Sequence, residues 1–356
     1  MDLVVRVLAA LCAFNLALFV HEAGHFMAAR LTRMTVYEFS MFIGRPLLLW
    51  FRRGDTQYSL RSWPFACYVR IAGMEPEDDH PQGFYKRSRL AQAFVLFSGS
   101  AMNFLLAVAI FIFIGVVIGK PVDVTNTIDR VMPGSPAAQI GLMPGDRLVG
   151  YKGKAHFRLV EIQKFIQAHP EESIPLEIER NGRRLSLDIT PERKSVPEMR
   201  DDKLVYRQIG RIGVGFRMRL EHMGIGESIV AGIRDAYRMI QLTVTYLVGL
   251  ILGKMPLAVA GPVGVAHILY TEAQAGWLSF LSTFAALTVA LGAAQLLPIP
   301  LADGGRLAIV AVEAIRRKPF DKRKEAVVHL VGFALLLVLM VVITYKDIER
   351  IITGGG

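Results

Sequence analysis

Cysteine and charge are what this 356-residue chain has least of. Cys12 and Cys67 are its two cysteines, one inside an apolar run and one in a loop, and both are read as free thiols. They make no disulfide framework and say nothing about compartment. Charged residues make up 20% of the chain against 53% hydrophobic ones, too apolar a balance for an ordinary soluble protein. No small-residue cleavage site follows the first apolar run, which argues against a cleaved signal peptide. Six of the eight histidines (His80, His156, His169, His222, His267 and His329) lack ligand spacing and are assigned to surface or packing. The net charge of +10 does not call for nucleic acid, because its distribution matters more than its sum.

Residues 3–30, 92–118, 277–297 and 327–344 are apolar stretches long enough to span a lipid bilayer. Ten basic residues, from Arg30 to Arg89, lie between the first two stretches. Arg316, Arg317, Lys318, Lys322, Arg323 and Lys324 lie between the last two. The positive-inside rule makes both loops cytoplasmic. Four spans then put both termini and the central region on the extracytoplasmic side, the periplasm for a bacterial inner membrane. Residues 228–252 are harder to place, since Arg234, Asp235, Arg238 and Gln241 interrupt the first half. A fifth span would reverse the last two, so an amphipathic helix at the interface is preferred.

Inside the first apolar stretch stands His21-Glu22-Ala23-Gly24-His25. On a helix, positions i and i+4 share a face, so His21 and His25 are spaced to chelate one Zn²⁺ with Glu22 beside it. Two histidines and a glutamate on a solvated helix would be the plain alternative. Ionisable groups within a membrane segment are costly, however, and point to function. Catalytic zinc usually takes a third protein ligand. Near the end of the third stretch comes Gln295-Leu296-Leu297-Pro298-Ile299-Pro300-Leu301-Ala302-Asp303-Gly304. Pro298 and Pro300 must break the helix, and such unwinding needs an enclosed or hydrated cavity at membrane depth. Asp303 is the expected third ligand, with a helix-capping role as the alternative.

Between residues 121 and 191 apolar density falls and turn signals rise. The stretch from Val131 to Leu148, with turns at Pro133-Gly134 and Pro144-Gly145-Asp146, resembles the PDZ domains of bacterial proteases. An amphipathic helix is expected at 160–169, and strands at 174–179 and 184–189 around an Asn181-Gly182 hairpin turn. Such domains bind peptides by strand addition, while a ligand-free β-rich spacer is the alternative. Residues 206–219 read as extended structure leading back to the membrane.

These motifs together resemble the site-2 protease family of intramembrane zinc metalloproteases, of the bacterial RseP type. The likeness takes in the His-Glu-x-x-His, a loop with Tyr58-Ser59-Leu60 and Tyr68-Val69-Arg70, the signature Gly99-Ser100-Ala101-Met102-Asn103-Phe104, and Gly261-Pro262-Val263-Gly264. It implies a polytopic α-helical membrane protein of four transmembrane helices, with a membrane re-entrant β-loop at about 36–72 and one inserted α+β PDZ domain. The implied parts are 1–119, the first transmembrane pair; 120–193, the PDZ domain; 194–256, an extended segment and interfacial helix; and 257–356, the second pair. The family's late motif reads Asn-x-x-Pro-x-Pro-x-Leu-Asp-Gly, and here Gln295 and Ala302 replace its asparagine and leucine.

The resemblance implies a Zn²⁺ endopeptidase with Glu22 as base and His21, His25 and Asp303 on the metal. Asn103, Gln295, Pro298 and Pro300 would bind substrate. Implied substrates are single-span membrane proteins, such as anti-sigma factors or remnant signal peptides, with a peptide segment at the PDZ groove. Two rival readings make different demands on these residues. A catalytically silent PDZ-bearing adaptor would not need the intact zinc set. A protease of the CAAX-processing type would take a glutamate as third ligand.

Overall fold

The computed structural model describes residues 3–75, 77–155, 157–200, 203–255, 260–318 and 320–352. His156 lies outside them, as does the His329 side chain. The chain begins with α1 (Leu3–Leu31), strands β1 (Val36–Arg53) and β2 (Thr56–Ile71), and α2 (Arg89–Phe113). Then follow β3 (Lys120–Val131), α3 (Pro136–Gln139), β4 (Arg147–Tyr151), α4 (Leu159–Ala168), β5 (Ile174–Arg180) and β6 (Arg183–Ile189). Strands β7 (Glu192–Arg200), β8 (Lys203–Arg211) and β9 (Val214–Glu221) lead into five helices: α5 (Ile225–Ile251), α6 (Pro262–Ala275), α7 (Trp277–Gln295), α8 (Asp303–Arg316) and α9 (Lys322–Ile352). Four helical stretches are long and apolar enough to cross a membrane: Val7–Leu31, Arg89–Ile118, Trp277–Gln295 and Leu330–Glu349. They coincide with the four apolar runs of the sequence.

The chain divides into two compact units. The first comprises Met1–Val116, Gly224–Val248 and Leu257–Gly356. Small residues set its helix spacing. At Gly24 of α1 a Cβ would lie 2.9 Å from Met102 Cγ of α2, and at Gly292 of α7 one would lie 3.2 Å from the Ser100 carbonyl oxygen of α2. Either side chain would force the helices apart. The buried Ser228, Ala231 and Gly232 bring α5 equally close to α2, where a Cβ on Gly232 would sit 3.0 Å from the Ile112 nitrogen. The expected interfacial segment is therefore a continuous helix that packs its small residues inward. Its other faces leave Ile225, Ile229, Ile233, Leu242 and Ile251 exposed.

β1 and β2 form a two-stranded antiparallel sheet of irregular register. Residues 38–41 have Cα partners both at 57–60 and at 67–70, so the halves of β2 flank the start of β1. Buried Glu38 pins this curl by accepting from Ser59 Oγ and Arg61 Nη2, each at 2.6 Å.

The second unit comprises Val117–Met223 and Gly249–Pro256. Its five-stranded sheet has the order β6-β5-β4-β3-β9. Ile174, Leu176 and Ile178 alternate inward along β5 and meet Ile162 and Ile166 of α4 in one core. The hairpin between β5 and β6 turns on Asn181 (φ 51°) and Gly182 (φ 77°), the left-handed pair that a tight two-residue connection requires. The structure extends this unit past the boundary expected at 193. β7 and β8 form a separate hairpin, and β9 pairs with β3 from Lys120↔Glu221 to Val131↔Val214. Residues expected to lead back to the membrane thus close the sheet, because β3 has an open edge that they satisfy.

Candidate metal and catalytic site

All residues of the site lie in the first unit. His21 and His25 stand one turn apart on α1 and are 4% and 6% exposed. Asp303 arrives from the far end of the sequence through the proline turn. α7 stops at Gln295, Leu301 adopts φ 79°, and α8 begins at Asp303 itself. Asp303 is thus the first residue of its helix rather than the cap, which is Ala302. The helix N-terminus favours its negative charge. Gly304 makes the turn possible, since a Cβ there would collide with the backbone of Leu296 and Leu297.

The donor atoms converge closely. His21 Nε2 and His25 Nε2 each lie 3.1 Å from Asp303 Oδ2, and 3.2 Å from one another. Zinc binds such atoms at about 2.0–2.1 Å in tetrahedral geometry, which puts ligands about 3.3 Å apart. The three separations match the edges of one face of that tetrahedron. Among the described residues, this is the group of His, Cys, Asp and Glu side chains able to hold a metal ion. The residues present fit zinc.

What surrounds the imidazoles orients them. His25 Nδ1 lies 2.8 Å from the Val95 carbonyl oxygen. Donation there places the proton on Nδ1 and leaves the Nε2 lone pair for a metal. His21 Nδ1 faces the Asn103 amide at 3.4 Å. Gly99 stands between them, where a Cβ would lie 2.7 Å from His25 Cε1 and 2.8 Å from His21 Cε1. Val95, Gly99 and Asn103 are spaced i, i+4, i+8 and so form one stripe of α2 against α1. Sequence reasoning had Gly99 only as part of a signature. Its spacing from Asn103, the same as that of His21 from His25, is the signal that pairs the two helix faces.

Glu22 is half-buried, and its Oε2 accepts from the Val69 backbone N–H at 3.1 Å. Val69 belongs to the half of β2 whose other side pairs with β1. This strand therefore has an edge at Glu22, a contact the sequence did not reveal. Of the residues expected to bind substrate, Asn103 is fully buried against His21. Gln295 is partly exposed at the end of α7, and Pro298 and Pro300 are exposed. The structure brings His21, Glu22, His25, Asn103 and Asp303 together, with the proline turn as the approach to Asp303.

The chain is similar along nearly all its length to known proteins. The zinc metalloprotease RasP of Geobacillus kaustophilus is 31% identical, over 95% of this chain and 96% of the relative. RasP of Oceanobacillus iheyensis is 28% identical over 97% and 99%, and RasP of Bacillus licheniformis 26% over 97% and 99%. The family model described as Peptidase family M50 matches residues 9–339, a span that runs from before His21 to beyond Asp303. With that match embracing every residue of the converged site, the chain belongs to peptidase family M50, the site-2 protease family, and is a peptide hydrolase.

Proposed function

We propose that the chain hydrolyses peptide bonds within the membrane-spanning segments of single-span proteins, with His21, His25 and Asp303 holding zinc and Glu22 as general base. The enzyme is a zinc metalloprotease, and zinc is its cofactor. One observation carries the reading: three metal-binding atoms within 4.8 Å of one another, on and beside a helix apolar enough to span a bilayer. Such a site serves substrates that are themselves in the membrane. Anti-sigma factors and remnant signal peptides are the expected substrates, cut in regulated intramembrane proteolysis.

Bound zinc supplies Lewis-acid polarisation of the scissile carbonyl and an acidified water. Glu22 takes the proton and passes it to the leaving amine. A carbonyl in a helix is already bonded to an amide four residues on, so the substrate segment must unwind first. The edge of β2 beside Glu22 offers an extended partner for it. Gln295 at the end of α7, with Pro298 and Pro300 on the unwound stretch before Asp303, lines the path of that strand, with the Gln295 amide as its hydrogen-bonding group. Residues 36–72 would form the re-entrant β-loop. The second unit would be a PDZ domain that docks or screens substrates outside the cytoplasm, with both termini on the same side of a bacterial inner membrane.

Glu22→Gln is the deciding substitution. It should keep zinc at wild-type occupancy and abolish cleavage of a single-span substrate in reconstituted vesicles, because an amide takes no proton. Cleavage at near-normal rate would remove Glu22 as base. Wild-type protein that binds no zinc and cuts no single-span protein would instead favour the silent adaptor.

A further inference from the structure

Asn103 has a buried amide that substrate cannot reach. The residue is 0% exposed, and its Oδ1 has no hydrogen-bond partner among the described residues. Its Nδ2 lies 3.4 Å from His21 Nδ1. A histidine that gives Nε2 to zinc carries its proton on Nδ1 and needs an acceptor there. An Nδ2 opposite that proton would set two donors face to face. Turning the amide by 180° about χ2 exchanges oxygen and nitrogen, an interchange that leaves its shape unchanged. It puts the orphaned oxygen on the Nδ1–H and removes the clash of donors.

We infer that Asn103 is a positioning residue, whose amide oxygen accepts the Nδ1–H of His21 and fixes that ring with Nε2 towards the metal. This rests on His21 being a zinc ligand, as proposed above. The two histidines are then held alike, His25 by the Val95 carbonyl at 2.8 Å and His21 by the Asn103 amide, both from one stripe of α2. The neighbouring helix confines the amide. At Gly292 of α7 a Cβ would sit 3.3 Å from Asn103 Cβ, so α7 lies against it. Asn103 therefore acts on the metal through His21 and not on the substrate backbone.

The test is zinc affinity, by chelator competition on the purified full chain in detergent, beside kcat and KM for cleavage. Asn103→Leu keeps the volume but offers no acceptor, and should weaken zinc about 10- to 100-fold, the usual range for an outer-shell partner. Asn103→Asp restores an acceptor and should return affinity to near the wild-type value, a rescue that a packing role would not give. A Leu variant with wild-type zinc affinity and raised KM would overturn the inference and make Asn103 a substrate residue. So would an Asp variant as weak as Leu. His21→Ala separates the two layers: if it leaves zinc affinity intact, the ligand assignment itself fails. Should the Leu variant not fold, NMR of the cobalt-loaded wild-type chain reads the same bond. A His21 Nδ1 proton slow to exchange with water is expected, and fast exchange would overturn the inference.

Discussion

Gly99→Ala adds one methyl group to the centre of the proposed metal site. Its carbon would lie 2.7 Å from His25 Cε1 and 2.8 Å from His21 Cε1, and closer still to His25 Nε2. Carbon atoms in contact normally stay about 3.5–4.0 Å apart. Both rings must therefore retreat by about 0.7 Å, or α2 must move bodily away from α1. Retreat is opposed on every side, since His25 is tied to Val95 and His21 to Asn103. Zinc sites tolerate departures of about 0.2 Å from their ligand distances. Overpacking of this kind costs about 1–3 kcal/mol. At about 1.4 kcal/mol per decade, zinc affinity should fall by roughly tenfold to a hundredfold. Chelator competition on the purified protein measures it, and cleavage should fall in parallel at limiting zinc. Gly226→Ala is the control, an exposed helical glycine with nothing within 4 Å of the added carbon. A Gly99→Ala protein with wild-type zinc affinity and turnover would refute the reasoning, and would mean that α2 yields without cost.

Asp303→Ala removes one corner of the donor set and should leave substoichiometric zinc after dialysis; full occupancy by metal analysis would remove Asp303 from the ligands. In the second unit, hydrogen bonds from the Arg180 guanidinium, both 2.7 Å, hold the buried Asp146 carboxyl below the usual carboxylate range. A folded value below the unfolded one of about 3.9 means stability that is present above that pH and lost as pH falls through the folded value. The advantage of wild type over Asp146→Asn, read by hydrogen exchange of residues 142–148 after correction for intrinsic rates, should be full at pH 7 and shrink below about pH 4. An advantage that grows on acidification would reverse the sign of the argument. With Cys12 and Cys67 replaced, Lys318→Cys in intact cells should be shielded from an impermeant thiol reagent and Arg183→Cys should react. The opposite labelling would invert the membrane orientation.

The spans were legible because length and apolarity alone define them. His21 and His25 were legible as neighbours because helical geometry fixes i and i+4, and the proline pair announced the unwinding before Asp303. The closing strand of the second unit was not. β9 pairs with β3 across 101 residues of sequence, from Lys120 to Glu221, and its own alternation names no partner. The boundary expected at 193 failed to include it for that reason. The family resemblance implies a substrate role for Asn103, through the Gly99–Phe104 signature. Only its burial and its place opposite His21 Nδ1 give it another. The Val69 N–H on Glu22 was equally hidden, since a backbone donor leaves no mark on residue identity.

His21 and Asp303 are 282 residues apart in the chain. A ribosome adding about 5–20 residues per second needs roughly a quarter of a minute to a minute to make that interval. Throughout it α1 already carries both imidazoles and Glu22. Two histidines without the carboxylate are an incomplete site. On the proposed ligand set, the three donors are complete only once Asp303 has been made. The order of the helices thus sets when the proposed site can close, since its third donor is the first residue of α8.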